Sequence, residues 1–337
     1  MAGFDFIFLA AAFGGGLFGA AAGGIQSFVM CGFLALVGAG VALATGASDF
    51  NNAIAWGPYL GPHVAFAGGV AAAAYAARVG KLDSGKNIGT PLMGLNAPDV
   101  LLVGGIFGAL GYVWAWAITT YLPSIGSFSW MHPVVGSIVI NAFLTRLVFG
   151  RSGIFGKVAP GANRWVPNDT ACWLPWQEKP LQVLLAGLAI GLPTAFAMTK
   201  IPAALDFTFA LPAAWLLFLV LGQKMPVGHH IGFSSGFAAV ALGSFWWGVV
   251  IGIFAAFAAE LLARTFFNHG DTHIDPPVMG IFASWLVIVV IADLGAKSAP
   301  DAVVAAVAVV VAVVGYGILA FLKSTQSTPT PQATTPA

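Results

Sequence analysis

The sequence predicts an all-α integral membrane protein, and three observations carry that expectation. Hydrophobic residues fill 59% of 337 positions, charged residues fill 7%, and the mean hydropathy is +0.91. Soluble domains carry roughly 25% charged residues, because charge solvates their outer faces; a lipid-facing surface needs none. Apolar stretches near the length of about 20 residues that crosses a bilayer core recur ten or eleven times. The 43 glycines and 20 prolines follow no three-residue period, which excludes a collagen-like fibre.

Taken in order, the apolar runs place spans at 5–23, 25–45, 63–79, 99–121, 131–149, 181–199, 202–222, 228–244, 245–266, 276–293 and 302–322. The stretch after Lys323 turns to Ser, Thr, Pro and Gln, so 324–337 reads as a disordered polar tail. No basic segment precedes the first apolar run, so the first span is expected to be its own insertion signal. If the 80–98 loop is cytoplasmic, eleven of the thirteen Lys and Arg lie inside, with only Lys200 and Lys297 outside. Lys and Arg resist translocation, so this orientation is preferred, with the N-terminus outside and the C-terminus cytoplasmic. The expected location is a bacterial inner membrane.

The two halves share a pattern. Gly61-Pro-His63-Val-Ala-Phe66-Ala-Gly-Gly69 aligns with Gly228-His-His230-Ile-Gly-Phe233-Ser-Ser-Gly236. Gly105-Ile-Phe107 aligns with Gly252-Ile-Phe254, and His132-Pro-Val-Val-Gly136 with Pro276-Pro-Val-Met-Gly280. The order is kept, and an extra segment at 81–96 absorbs the change in offset. Ordered matches of this kind indicate duplication. Five spans per copy would make the second copy insert upside down, giving two inverted five-helix repeats plus a C-terminal helix. The expected organisation is 1–149 for the first repeat, 150–180 for a cytoplasmic linker, 181–295 for the second repeat and 296–323 for the extra span. In the linker, Arg164-Trp165 and Cys172-Trp-Leu-Pro-Trp176 suggest a segment lying on lipid headgroups.

An inverted-repeat membrane protein is expected to carry its substrate path where the repeats meet. His63 and His230, at matching positions, are the sharpest candidates, with Phe66 and Phe233 beside them and Ser234 and Ser235 on the same helix. Lone interfacial histidines and small-residue packing are the plain alternatives. Glu260 is the main in-span carboxylate and a coupling candidate, although Arg264 four residues on offers it a local ion pair. Asp206, Asp99 and Asp293 fall near span ends, which leaves an interior suited to a neutral solute. His132, which aligns with Pro276, and Asp275 just before Pro276 are coupling or gate candidates. His269, Asp271 and His273, alternating towards Asp275, carry N and O donors that could hold zinc or manganese, while Asp275-Pro276 also reads as an ordinary helix start.

Two halves of five spans with Phe- and Gly-rich helices resemble the urea-transporter family over roughly 14–295. The nearest strings to that family's Leu-Pro signature are Leu122-Pro-Ser-Ile-Gly-Ser-Phe128 and Leu211-Pro-Ala-Ala-Trp215, both without its Thr-x-Pro. The blocks Gly61–Gly69 and Asn96–Tyr112 are similar to permease-like bacterial membrane proteins. The resemblance implies a facilitator for small polar solutes, with a homotrimer by analogy, and supplies no binding residues. No nucleophile elbow, phosphate loop or His-Glu-x-x-His helix occurs, so an enzyme is not expected, and neither is a cofactor. A net charge of +1 without a basic run argues against nucleic acid. The expected partners are the bilayer, a small solute and further copies of the chain. Proton-coupled transport, a metal-dependent membrane enzyme and a scaffold subunit are the rival readings.

Overall fold

A computed structural model describes residues 3–125 and 128–325. The first half holds α1 (Phe6–Ala22), α2 (Gly24–Thr45), α3 (Ala65–Arg78), α4 (Pro98–Tyr121) and α5 (Pro133–Phe149). The second holds α6 (Pro180–Lys200), α7 (Phe207–Ala214) running into α8 (Leu216–Val220), α9 (His229–Ala241), α10 (Phe245–Leu262) and α11 (Pro276–Asp293). Helix α12 (Asp301–Ser324) closes the described chain. Strand pairing among the described residues is limited to a hairpin of β1 (Ser124–Ile125) with β2 (Phe128–Ser129), plus two isolated bridges. The expected polar tail falls almost entirely on residues 326–337, outside the described residues.

Seven helical segments are long and apolar enough to cross a bilayer, and α1 and α5 are shorter apolar helices. Their outward faces carry Leu102 and Ile106 on α4, Leu185 and Phe196 on α6, and Val310 and Val313 on α12, all more than half exposed. Such faces have no aqueous use, whereas lipid solvates them without cost. The chain is an all-α, multi-pass membrane protein.

Two expected spans are corrected. Helices α3 and α9 have 14 and 13 residues, about 20 Å each at 1.5 Å per residue, short of a core about 30 Å thick. The run before α3, from Leu60 to Val64, is buried without being regular helix. Gly61, Pro62 and the π-helical turn at Asn51–Ala55 account for this: the chain turns inward before α3 can start. Non-helical backbone is tolerated at membrane depth where protein surrounds it.

The second group of helices repeats the packing pairs of the first. α1 packs on α3 and α4 as α6 packs on α9 and α10; α4 packs on α5 as α10 packs on α11. The groups meet through α2 against α7 and α5 against α11, each helix facing its own counterpart. Small residues let the backbones close in. A Cβ on Gly16 would strike the Gly104 carbonyl and lie 2.8 Å from Gly108 Cα. At the matching place, one on Gly252 would lie 3.1 Å from Gly191 Cα. Helix α12 stands outside this scheme, resting on α10 and α6 with Gly315 over the Phe257 ring.

The linker packs onto both halves of the protein. Two of its tryptophans, both half-buried, contact the second half: Trp176 Nε1 donates to Met225 O at 2.9 Å, and Trp173 lies 6.1 Å from the His230 ring. Three guanidiniums clamp it. Arg146, fully buried at the end of α5, donates to Ile154 O at 3.1 Å, Phe266 O at 3.2 Å and Thr272 O at 2.7 Å. Arg164 reaches Gly156 O and Thr265 O, both at 3.1 Å. Arg264 donates to Trp165 O at 2.8 Å. Planar forks with five donors suit backbone carbonyls that have no helix to bond to.

Candidate functional site

A cavity of about 310 Å³ lies on the seam where the two five-helix groups meet. Phe28 of α2, Phe209 of α7, Phe233 and Phe237 of α9, Trp56 and Pro62 wall it, with His132, His229 and Asp206 as its ionisable groups. A second cavity of about 70 Å³ lies beyond, lined by Phe66, Trp173, His273 and Asp275 among others. Phe28 and His229 line both, so together they form part of the wall between them. A sliver of about 10 Å³ shares Phe66, His273 and Asp275 with the second cavity and Ile138 with the first.

The wall is built from matching parts of the two halves. Ring centroids run from Phe66 to Phe28 at 5.5 Å, Phe28 to Phe209 at 5.3 Å and Phe209 to Phe233 at 6.4 Å. Phe66 and Phe233 are the aligned pair from α3 and α9, and Phe28 and Phe209 sit on the helices that face each other across the seam. Edge-on contacts between aromatic rings are favourable and hold the row in place. His229 packs on its centre, 4.8 Å from Phe28 and 5.7 Å from Phe209.

His229 is buried at 4% exposure, and neither ring nitrogen has a partner in the protein. A buried imidazole without hydrogen bonds is costly, and this one lies against both cavities. His132 caps α5, accepting from Val135 N–H at 3.5 Å, and its ring rests 4.7 Å from Trp285. Asp275 caps α11 with a stronger bond, accepting from Val278 N–H at 2.8 Å, while its other oxygen accepts from His273 Nε2 at 3.1 Å. Two helix N-termini, each with its positive dipole end, thus open on the cavities.

The sequence expectations divide sharply. Phe66, Phe233, His132 and Asp275 do line the seam cavities. His63 and His230 are buried but line neither cavity; Pro62 and His229, one residue earlier in each copy, take those places. One residue turns a helix by about 100°, enough to move a ring from the seam to the core. Ser235 bonds Gly191 O at 2.9 Å and serves helix packing, and Ser234 is buried away from the cavities. Glu260 accepts from Arg264 Nε at 2.9 Å and lines no described cavity, so it belongs to the linker clamp. Asp206, treated as a span-end residue, lines the main cavity and accepts from Asn51 Nδ2 at 2.7 Å.

The metal reading of the 269–275 loop is corrected by its geometry. Among the described residues no three His, Cys, Asp or Glu side chains gather as a metal would need. His269 donates from Nε2 to Arg164 O at 3.3 Å, and Asp271 accepts from Ser152 Oγ at 2.6 Å. Burial alone would push the Asp271 carboxyl up. Its bonds from Ser152 and the Arg151 N–H, with the charge of Arg146, outweigh that and hold it below the usual range. Lys86 bonds Asn268 O at 3.3 Å, and burial and the Arg146 charge pull its ammonium below the usual range. The loop is a structural clasp. Sequence spacing missed the clamp because its acceptors are backbone carbonyls, which leave no residue signature.

The fold and the seam define a multi-pass membrane protein with two packed five-helix groups and cavities between them. The chain belongs to a family of unknown function, DUF7973, whose model matches residues 1–168 and again 161–307. No curated protein and no solved structure matches it.

Proposed function

We propose that the protein is a transporter or channel-like facilitator that carries a small polar solute across the membrane, between two inverted five-helix repeats. The observation that carries this reading is His229, a buried imidazole without protein partners, standing between two cavities at the seam. The double family match, the repeated packing pairs and the helix count support the duplication behind it. The likeness to urea transporters is a proposal of shared architecture with the same basis. The path runs from the larger cavity past Phe28 and His229 to the smaller one at His273 and Asp275, and this conformation holds the aromatic row closed. A facilitator suits the seam better than an enzyme, because no nucleophile stands beside a base in either cavity.

The test is solute flux into proteoliposomes holding the purified protein, across a panel of small neutral, zwitterionic and cationic compounds. Flux of one compound above that of empty liposomes is expected, slowed by His229→Ala and changed by Phe28→Ala, which thins the dividing wall. Absence of flux for every compound, with and without a proton or sodium gradient, would end the transport reading. Flux that appears only under a proton gradient would favour coupling through the His273–Asp275 pair.

A further inference from the structure

The charge inventory of the main cavity names a class of solute. Its lining has one carboxylate, Asp206, and no Lys or Arg. Asp206 has no ion-pair partner among the described residues; its carboxyl accepts from the neutral amide of Asn51. Five aromatic side chains, Phe28, Trp56, Phe209, Phe233 and Phe237, share the same wall. Trp56 and Phe209 stand 5.0 Å apart, edge to face, and lie on the segments that carry Asn51 and Asp206.

A lone carboxylate against an aromatic wall is a poor host for an anion and gains little from a neutral solute. A cation gains from both: Coulomb attraction to the carboxylate and the negative faces of the rings. Aromatic cages take alkylated ammonium groups for this reason, since methyl groups satisfy the apolar wall while the charge is spread. His229 adds specificity. Whichever tautomer it holds, a neutral imidazole keeps one nitrogen lone pair, and that accepts an N–H. The volume of about 310 Å³ sets the scale at roughly ten water molecules, taking about 30 Å³ for each.

We propose that this cavity binds a small organic ammonium cation, held by Asp206 and the aromatic wall with an N–H given to His229. The proposal deepens the transport reading and rests on it for the role of the cavity as a waystation. The neutral solute expected from the sequence is replaced here, because Asp206 faces the seam instead of lying idle at a span end.

The experiment is calorimetric binding to the full chain in detergent, using ethylammonium, tetramethylammonium and the neutral near-isostere tert-butanol. Both cations are expected to bind at least about tenfold more tightly than tert-butanol, a typical worth for a partly desolvated cation–π and carboxylate site. Asp206→Asn should weaken both cations by about tenfold or more, and Asp206→Glu should restore most of it. A thermal melt of each variant separates lost charge from lost folding, since Asp206 also holds Asn51. His229→Phe should weaken ethylammonium and leave tetramethylammonium, which has no N–H, nearly unchanged. Equal affinity for tert-butanol and tetramethylammonium, no cation binding by the folded wild type, or unchanged binding in Asp206→Asn would each overturn the proposal. Cation binding without flux in liposomes would sink the transport reading alone; flux of a neutral compound without cation binding would sink this inference alone.

Discussion

The two halves of the chain use the same packing scheme and put different chemistry into it. At aligned positions, the first half has Pro62 in the turn before α3 and the second has His229 at the start of α9, and both line the main cavity. The first half closes its turn with a rigid ring that lacks an N–H; the second offers an unpartnered imidazole at the dividing wall. The caps differ too, with neutral His132 on α5 and the carboxylate Asp275 on α11. The packing pairs are shared, and the residues they present to the cavities differ.

The halves also differ in how their ends are secured, and this gives the largest expected effect. Arg264, 1% exposed, holds the linker to the second half and pairs with buried Glu260. Arg264→Met should cost about 3–5 kcal/mol, because it leaves a buried carboxylate uncompensated. Adding Glu260→Gln should recover a good part of the loss. Thermal melts of the single and double variants in one detergent check it, and a double variant no better than the single would show that the carbonyl contacts to the linker dominate.

Next in size is a comparison of matched glycines. Gly16→Ala should destabilise by about 1–3 kcal/mol, since the new methyl would meet backbone on α4 that cannot give way. Gly191→Ala should stay within about 0.5 kcal/mol, since its methyl would lie 3.5 Å from Gly252 Cα, an ordinary contact. Equal melts for the two would show that the halves pack more alike than this structure has them. For the caps, Asp275→Ala should cost about 1–2 kcal/mol, while His132→Ala at its longer bond should cost less than about 0.5 kcal/mol.

The smallest effect concerns the linker thiol. Burial, with Glu260 and Glu178 nearby, pushes Cys172 up to about 12. The thiolate is the reactive form, so iodoacetamide should label Cys172 far more slowly at pH 8 than it labels an ordinary thiol. The rate should climb with pH beyond the range where ordinary thiols level off. Labelling at the ordinary rate would mean that the linker opens from the second half in solution.

The class of the protein was legible in composition, since 7% charge cannot solvate a globule of 337 residues. Most helix positions were legible too, because backbone groups in lipid must be bonded within their own segment; the runs at α3 and α9 form shorter helices, since protein around them can hold irregular backbone. Phe66 and Phe233, singled out by the alignment of the halves, both line seam cavities, because a repeated position faces a repeated environment. The sequence could not say that His229, and not His230, meets the cavities, because that depends on the rotation of α9 against α2 and α7. Nor could it show Arg146 sealed among carbonyls, or Asp206 turned to the seam. Those outcomes rest on contacts between segments far apart in the chain, where geometry selects which side of each helix is left to do chemistry.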